Sequence, residues 1–153
     1  RVIASTGRAE EEGFLKGLGA EGIIDRAALS APGKMLQAER WSGGVDSVGS
    51  HTLVNALAQT IYGGAFAACG LAGGADLPGS VMPHILRSVA LLGVDSVMCP
   101  QDRRARAWAL LDRDLDRAKL AALTTVAPMA DLPRLADEIV AGKVRGRTVI
   151  EIN

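Results

Sequence analysis

The stretch Arg1-Val2-Ile3-Ala4-Ser5-Thr6-Gly7-Arg8 decides how the rest of the chain is read. Val2, Ile3 and Ala4 form a short apolar run that reads as a buried strand. Ser5, Thr6 and Gly7 turn the chain, and residues 10–18 then carry apolar side chains at helical spacing. Strand, turn and helix in that order make half of a βαβ unit. The strand is already under way at Arg1, so the expectation is a sheet that lacks its first strand and the glycine-rich loop that would follow it.

Working outward, 153 residues with 48% hydrophobic content suit one ordinary domain with a real core. Seventeen Lys and Arg balance seventeen Asp and Glu, so net charge offers no case for a nucleic acid or an anionic membrane as partner. Any anion site must be local. No apolar run has the length to span a bilayer and the first residues do not resemble a signal peptide, which makes the cytoplasm the expected location. Cys69 and Cys99 stand thirty positions apart in apolar contexts and read as reduced, buried thiols. His51 and His84 are too far apart for a local ligand pair, so no metal site is expected.

Strand-like and helix-like segments alternate along the chain. Glu10, Glu11 and Glu12 suit the first turn of a helix with Phe14, Leu15 and Leu18 on its apolar side, stopped by Gly19. Ile23-Ile24 reads as a short strand. Residues 26–41 are ambiguous, with a short helix conceivable at 34–41, and residues 45–48 read as another strand. A helix over 52–59 has Ser50 as its expected N-cap. A strand over 65–71 opens into Gly70-Leu71-Ala72-Gly73-Gly74, a helix covers 82–89 with Pro83 in its first turn, and residues 91–98 make the most strand-like segment. Helices at 103–115 and 132–140 and strands at 123–126 and 148–152 complete the pattern. Such alternation predicts an α/β fold, a Rossmann-like and mainly parallel sheet flanked by helices.

In a parallel α/β sheet ligands sit beyond the carboxyl ends of the strands, which directs attention to residues 5–8, 49–51, 70–74 and 96–100. In nucleotide-binding sheets the end of the second strand meets the adenosine ribose, where a carboxylate suits NAD, and a cation with small hydroxylic residues suits the 2′-phosphate of NADP. Here no carboxylate follows until Glu10, whereas Ser5, Thr6, the Gly7 backbone and Arg8 supply donors. On spacing alone an ordinary polar turn with a solvated arginine is the better reading. Arg103, Arg104 and Arg106 read as a solvated helix face, and Asp112, Asp114 and Asp116 with Arg113 and Arg117 as surface ion pairs.

Seven blocks taken in order add a resemblance: 5–8 (Ser-Thr-Gly-Arg), 15–20, 67–74 (Ala-Ala-Cys-Gly-Leu-Ala-Gly-Gly), 81–87, 91–98, 103–108 and 146–150. Together they resemble the acryloyl-coenzyme A reductase branch, also called quinone-oxidoreductase-like, of the zinc-independent medium-chain dehydrogenase/reductases. The resemblance runs over essentially the whole chain and implies that it is the C-terminal half of such a protein. Residues 1–130 would form most of the nucleotide-binding domain, and 131–153 a segment returning to the catalytic domain. It implies NADPH as cofactor, with Thr6, Gly7 and Arg8 on the 2′-phosphate and Leu71, Ile85 and Ser96 along the nicotinamide half. Lys143 would be a further contact near the C-terminus. For Leu71 and Ile85, core packing is an equal reading. Ser96 at the end of an apolar strand would need a partner if buried, which favours a functional role.

The implied activity is reduction of the C=C bond of an α,β-unsaturated acyl-coenzyme A, acryloyl-coenzyme A to propionyl-coenzyme A. A homodimer joined through the edge strand at 91–98 goes with it. The alternatives are a quinone reductase of the same superfamily, or a non-catalytic NADP-binding or structural module. The catalytic proton donor and the groups that stabilise the developing oxyanion are not assigned to this chain.

Overall fold

The computed structural model describes residues 1–152. Seven strands alternate with helices, and every strand pairing is parallel. The chain divides into two compact units, Arg1–Cys99 and Pro100–Asn153. The expected functional division at residue 130 therefore falls inside the second unit.

In the first unit β1 (Ile3–Thr6) leads through a 3-10 turn at Ala9–Glu11 into α1 (Glu12–Leu18), and the chain returns parallel as β2 (Gly22–Asp25). Gly19 ends α1 with φ 118°, a left-handed conformation in which a side chain would be strained. β1 is not the buried strand the apolar run predicts. Val2 is largely exposed and no residue of β1 is fully buried. The reason lies in its pairing: within the described residues β1 is hydrogen-bonded to β2 alone.

After α2 (Ala27–Ser30) the chain runs without regular structure to β3 (Trp41–Asp46), so the short helix conceivable at 34–41 does not form. A polar network holds this crossover instead. Asn55 is buried; its Nδ2 donates to the carbonyls of Leu29 (2.8 Å) and Ala31 (2.7 Å), while its Oδ1 accepts from Gln37 Nε2 (2.6 Å). Arg87 donates to Ala58 O (3.0 Å), Thr60 O (3.3 Å) and Gln37 O (2.9 Å), and its Nε lies 3.2 Å from Glu39 Oε1. One guanidinium thus ties the last carbonyl of the following helix, where C=O groups lack partners within the helix, to the start of the next strand and to the crossover.

That helix, α3 (Ser50–Ala58), is the centre of the core. Its Leu53, Ala56 and Leu57 recur at the spacing of one helical face and pack with Phe66 and Val89. Phe66 belongs to β4 (Thr60–Ala68), the middle strand of a three-stranded sheet ordered β3-β4-β5, and β5 is Ala90–Gly93. Between β4 and β5 lies α4 (Met82–Arg87). β5 stops at Gly93, short of the strand expected over 91–98, because the Asp95 carboxylate accepts from the amides of Val97 and Met98 (both 3.0 Å) and folds the chain into a turn.

The second unit comprises α5 (Gln101–Asp114), α6 (Arg117–Ala122), β6 (Thr124–Pro128), α7 (Leu132–Val140) and β7 (Arg147–Glu151), with β6 and β7 paired in parallel. α6 is absent from the sequence expectation. Asp116, read as one of a run of surface ion-pair residues, is its N-cap and accepts from Ala118 N (2.9 Å) and Lys119 N (3.1 Å). The other aspartates of the run do pair, Asp114 with Arg113 and Asp112 with Arg117. The exposed Arg113 guanidinium holds the Asp114 carboxyl below its ordinary range.

Candidate functional site

The carboxyl ends of β1 and β2 lie side by side, with Thr6 opposite Asp25 in the register. Thr6 Oγ1 accepts from Arg8 N (3.1 Å), which folds Ser5 to Arg8 into a tight polar turn and leaves the Thr6 O–H as a donor. Arg26 enters from the neighbouring strand. Its backbone N–H donates to Thr6 O (2.9 Å), and its guanidinium lies against Gly7, where an added Cβ would come within 2.6 Å of Nη2. The Arg26 guanidinium therefore stands against Gly7, next in sequence to Arg8.

Both nearby carboxylates have other work. Asp25 Oδ1 accepts from Ala27 N (2.8 Å) at the start of α2, and Glu11 Oε1 lies 3.8 Å from Arg8. The fit to a phosphate monoester can be judged from these groups alone. A hydroxyl, a glycine with no side chain and two planar guanidinium forks suit one, and a ribose diol would want a carboxylate that is not otherwise engaged. Arg26 is the residue the sequence reading missed. Its local context, Asp25-Arg26-Ala27, carries no signal; only the parallel register between the two strands brings it beside Gly7.

At the ends of β3 and β4 two loops are joined backbone to backbone. Ala72 N donates to Ser47 O (3.2 Å) and Gly73 N to Val48 O (2.7 Å), and Gly49 and Gly74 form an isolated bridge. The expected N-cap role of Ser50 is not observed. Ser50 is the first residue of α3 with φ 45°, preceded by Gly49 at φ 75°, and no side chain caps the helix from the Gly49 position. Leu71 stands at the apex of the second loop and is 64% exposed, and Ile85 on α4 is 71% exposed. Core packing, the equal reading for both, is thereby removed within the unit.

Ser96 is exposed, so the inference that a buried hydroxyl there needs a partner loses its premise. Lys143 belongs to the second unit, where its N–H donates to Glu138 O (2.9 Å) just beyond α7. Cys69 is exposed and Cys99 partly so, which corrects the expectation of buried thiols; neither is in a disulfide, and Cys69 Sγ contacts Asp46 O (3.3 Å). Arg103 and Arg106 are exposed, as a solvated face requires. A cavity of about 170 Å³ beside α3 and α4, lined by Met35, Val54, Leu57, Leu77, Val81 and His84 among others, includes none of the expected contact residues. Among the described residues no helix is long and apolar enough to cross a membrane.

These positions can be set beside known proteins. A comparison with models of protein families gives no match. The acrylyl-CoA reductase AcuI of Ruegeria pomeroyi is 46% identical over 153 residues, which is 99% of this chain and 46% of that protein. The YhdH oxidoreductase of Salmonella enterica, solved in complex with NADP, superposes with a TM-score of 0.97 at 48% identity over the whole chain and 47% of its own length. Over its whole length the chain is similar to acrylyl-CoA reductases. It spans about half the length of the curated relatives it matches. YhfP of Bacillus subtilis, solved with NAD, shares 37% identity at a TM-score of 0.93, over 99% of this chain and 46% of its own. Similar proteins have thus been solved with both dinucleotides.

Proposed function

We propose that the protein is an NADPH-dependent reductase of the C=C bond of an α,β-unsaturated acyl-coenzyme A, acryloyl-coenzyme A in the first instance, and that this chain supplies its cofactor half. The observation that carries the cofactor is the Arg26 guanidinium against Gly7, beside Thr6 and Arg8, with the Asp25 carboxylate engaged by Ala27 N. The substrate rests on the Ruegeria relative, named as an acrylyl-CoA reductase.

When bound, NADPH supplies a hydride to the β-carbon of the unsaturated thioester, and a proton at the α-carbon completes the saturated product. The residues of this chain bind and orient. Thr6, Arg8 and Arg26 hold the 2′-phosphate around Gly7, and exposed Leu71, Ile85 and Ser96 contact the nicotinamide half, with Lys143 a further contact. Residues 1–130 serve the nucleotide in this reading, and 131–153 return toward the catalytic part. No residue of the chain is assigned to proton delivery.

The apolar, exposed edge that carries Leu92, Val94, Val97 and Met98 is read as the surface joining two copies. Light scattering at the monomer mass across a dilution series would remove that part.

The test of function is turnover in the complete protein. NADPH consumption that depends on acryloyl-coenzyme A, with propionyl-coenzyme A as product, is the expected result. Turnover with a quinone but not the thioester would move the protein to the quinone reductases. Absence of NADPH binding would leave the chain a structural module.

A further inference from the structure

Asp46 is the buried carboxylate that the proposed reaction does not use. It closes β3 at 6% exposure and forms no ion pair within 4.0 Å among the described residues. Burying a charge without a counter-charge is costly unless hydrogen bonds replace its water. Here they do: Oδ2 accepts from Val48 N (3.2 Å) and Gly49 N (2.7 Å). The same residue's carbonyl accepts from Cys69 N (2.8 Å), so Asp46 grips the turn that follows it and, through its backbone, the strand end beside it.

The turn it grips is the one that presents Ser47 O and Val48 O to the amides of Ala72 and Gly73. The two loops approach through glycines on both sides. A Cβ at Gly70 would come within 2.6 Å of Ser47 O, one at Gly73 within 2.8 Å of Val48 Cγ1, and one at Gly49 within 2.5 Å of Gly74 O. Leu71 sits between the two contact points, so its place is set by the first loop. That loop passes through two successive left-handed residues, Gly49 and Ser50, a conformation that costs free energy for serine and persists only when its surroundings over-determine it.

We infer that Asp46 is a positioning residue: its carboxylate fixes the Val48–Gly49 turn, and the turn fixes the Leu71 loop as a rigid wall for the nicotinamide half of the cofactor. This rests on the reading of the Leu71 loop as that wall. Its signature is a split between the two halves of the cofactor, because the adenosine half is held by Thr6, Gly7, Arg8 and Arg26 on other strands.

The experiment compares NADPH with adenosine 2′,5′-bisphosphate, which carries the 2′-phosphate and lacks the nicotinamide half, by calorimetry on the complete protein. Asp46→Asn keeps the shape and one acceptor but loses the charge that strengthens both bonds. It should weaken NADPH roughly tenfold and leave the bisphosphate within about twofold. Gly73→Ala pushes the second loop off Val48 with Asp46 intact and should give the same split. Equal losses for both ligands in Asp46→Asn, or no loss for either, would overturn the positioning role. Failure of the unaltered protein to bind NADPH would remove the reading of the loop itself, and is seen before any variant is made.

Discussion

Arg26 Nη2 occupies the space where a side chain at position 7 would begin, 2.6 Å from the Cβ that any residue but glycine would place there. Position 7 therefore controls where the second guanidinium stands. Gly7→Ala leaves the backbone unstrained, and the far end of the Arg26 side chain can swing away at little cost to folding. The expected outcome is unchanged stability with a several-fold rise in the NADPH dissociation constant and little change for NADH. Titration of both cofactors on one preparation reads the difference; parallel changes would separate Gly7 from the 2′-phosphate.

Removal of either arginine tests the same pocket by charge. A fork to a phosphate is lost in Arg8→Ala or Arg26→Ala, and each should cost NADPH about 1.5–3 kcal/mol while NADH moves far less. If both hold one phosphate, the double variant should lose less than the sum of the singles, since groups acting on one ligand atom are coupled. Equal losses for NADPH and NADH would count against the assignment.

Asn55→Ala should destabilise the fold by about 1–3 kcal/mol, because it orphans the buried carbonyl of Leu29 and removes the bonds to Ala31 O and from Gln37 Nε2. Urea unfolding followed by circular dichroism measures it. A loss below about 1 kcal/mol would mean that water replaces the side chain.

Thr60 has no exposed surface, and its hydroxyl donates to Ala56 O at 2.8 Å, a carbonyl inside α3. Thr60→Val keeps the volume and removes the donor, at an expected cost of about 1 kcal/mol. Leu57→Ala, at the centre of the core, should cost about 2–5 kcal/mol by leaving a cavity. The ordering of the two in one denaturant series is the check, and a larger loss for Thr60→Val would place the weight of α3 packing elsewhere.

The periodicities that carried the fold were the long or well-punctuated ones. α7 falls on the expected residues because Leu132 to Val140 is amphipathic and closed by Gly142, and β2 is found from two isoleucines between turn residues. What could not be read was whatever depended on the third dimension. Arg26 reaches Gly7 through strand register, and residues 31–40 are held by Asn55 and Arg87, 15 or more positions downstream of the segment they fasten. Ser96 is exposed rather than at a buried strand end because Asp95 bends the chain out of the strand before the serine, an effect of one side-chain acceptor on two amides. The turn at residues 5–8 was visible as residues but not as a candidate site, since a short polar turn means little until its neighbour strand is placed.

The fastening of residues 31–40 gives that segment a character its irregular shape conceals. Gln37 N donates to Ala58 O and Arg40 N to Gln59 O, so these amides are locked to the end of α3. Exchange of their hydrogens with solvent must wait for α3 itself to open. In deuterium labelling, the amides of Gln37 and Arg40 should keep their protons as long as the end of the helix does, although the segment that carries them has no helix or strand of its own and is mostly exposed.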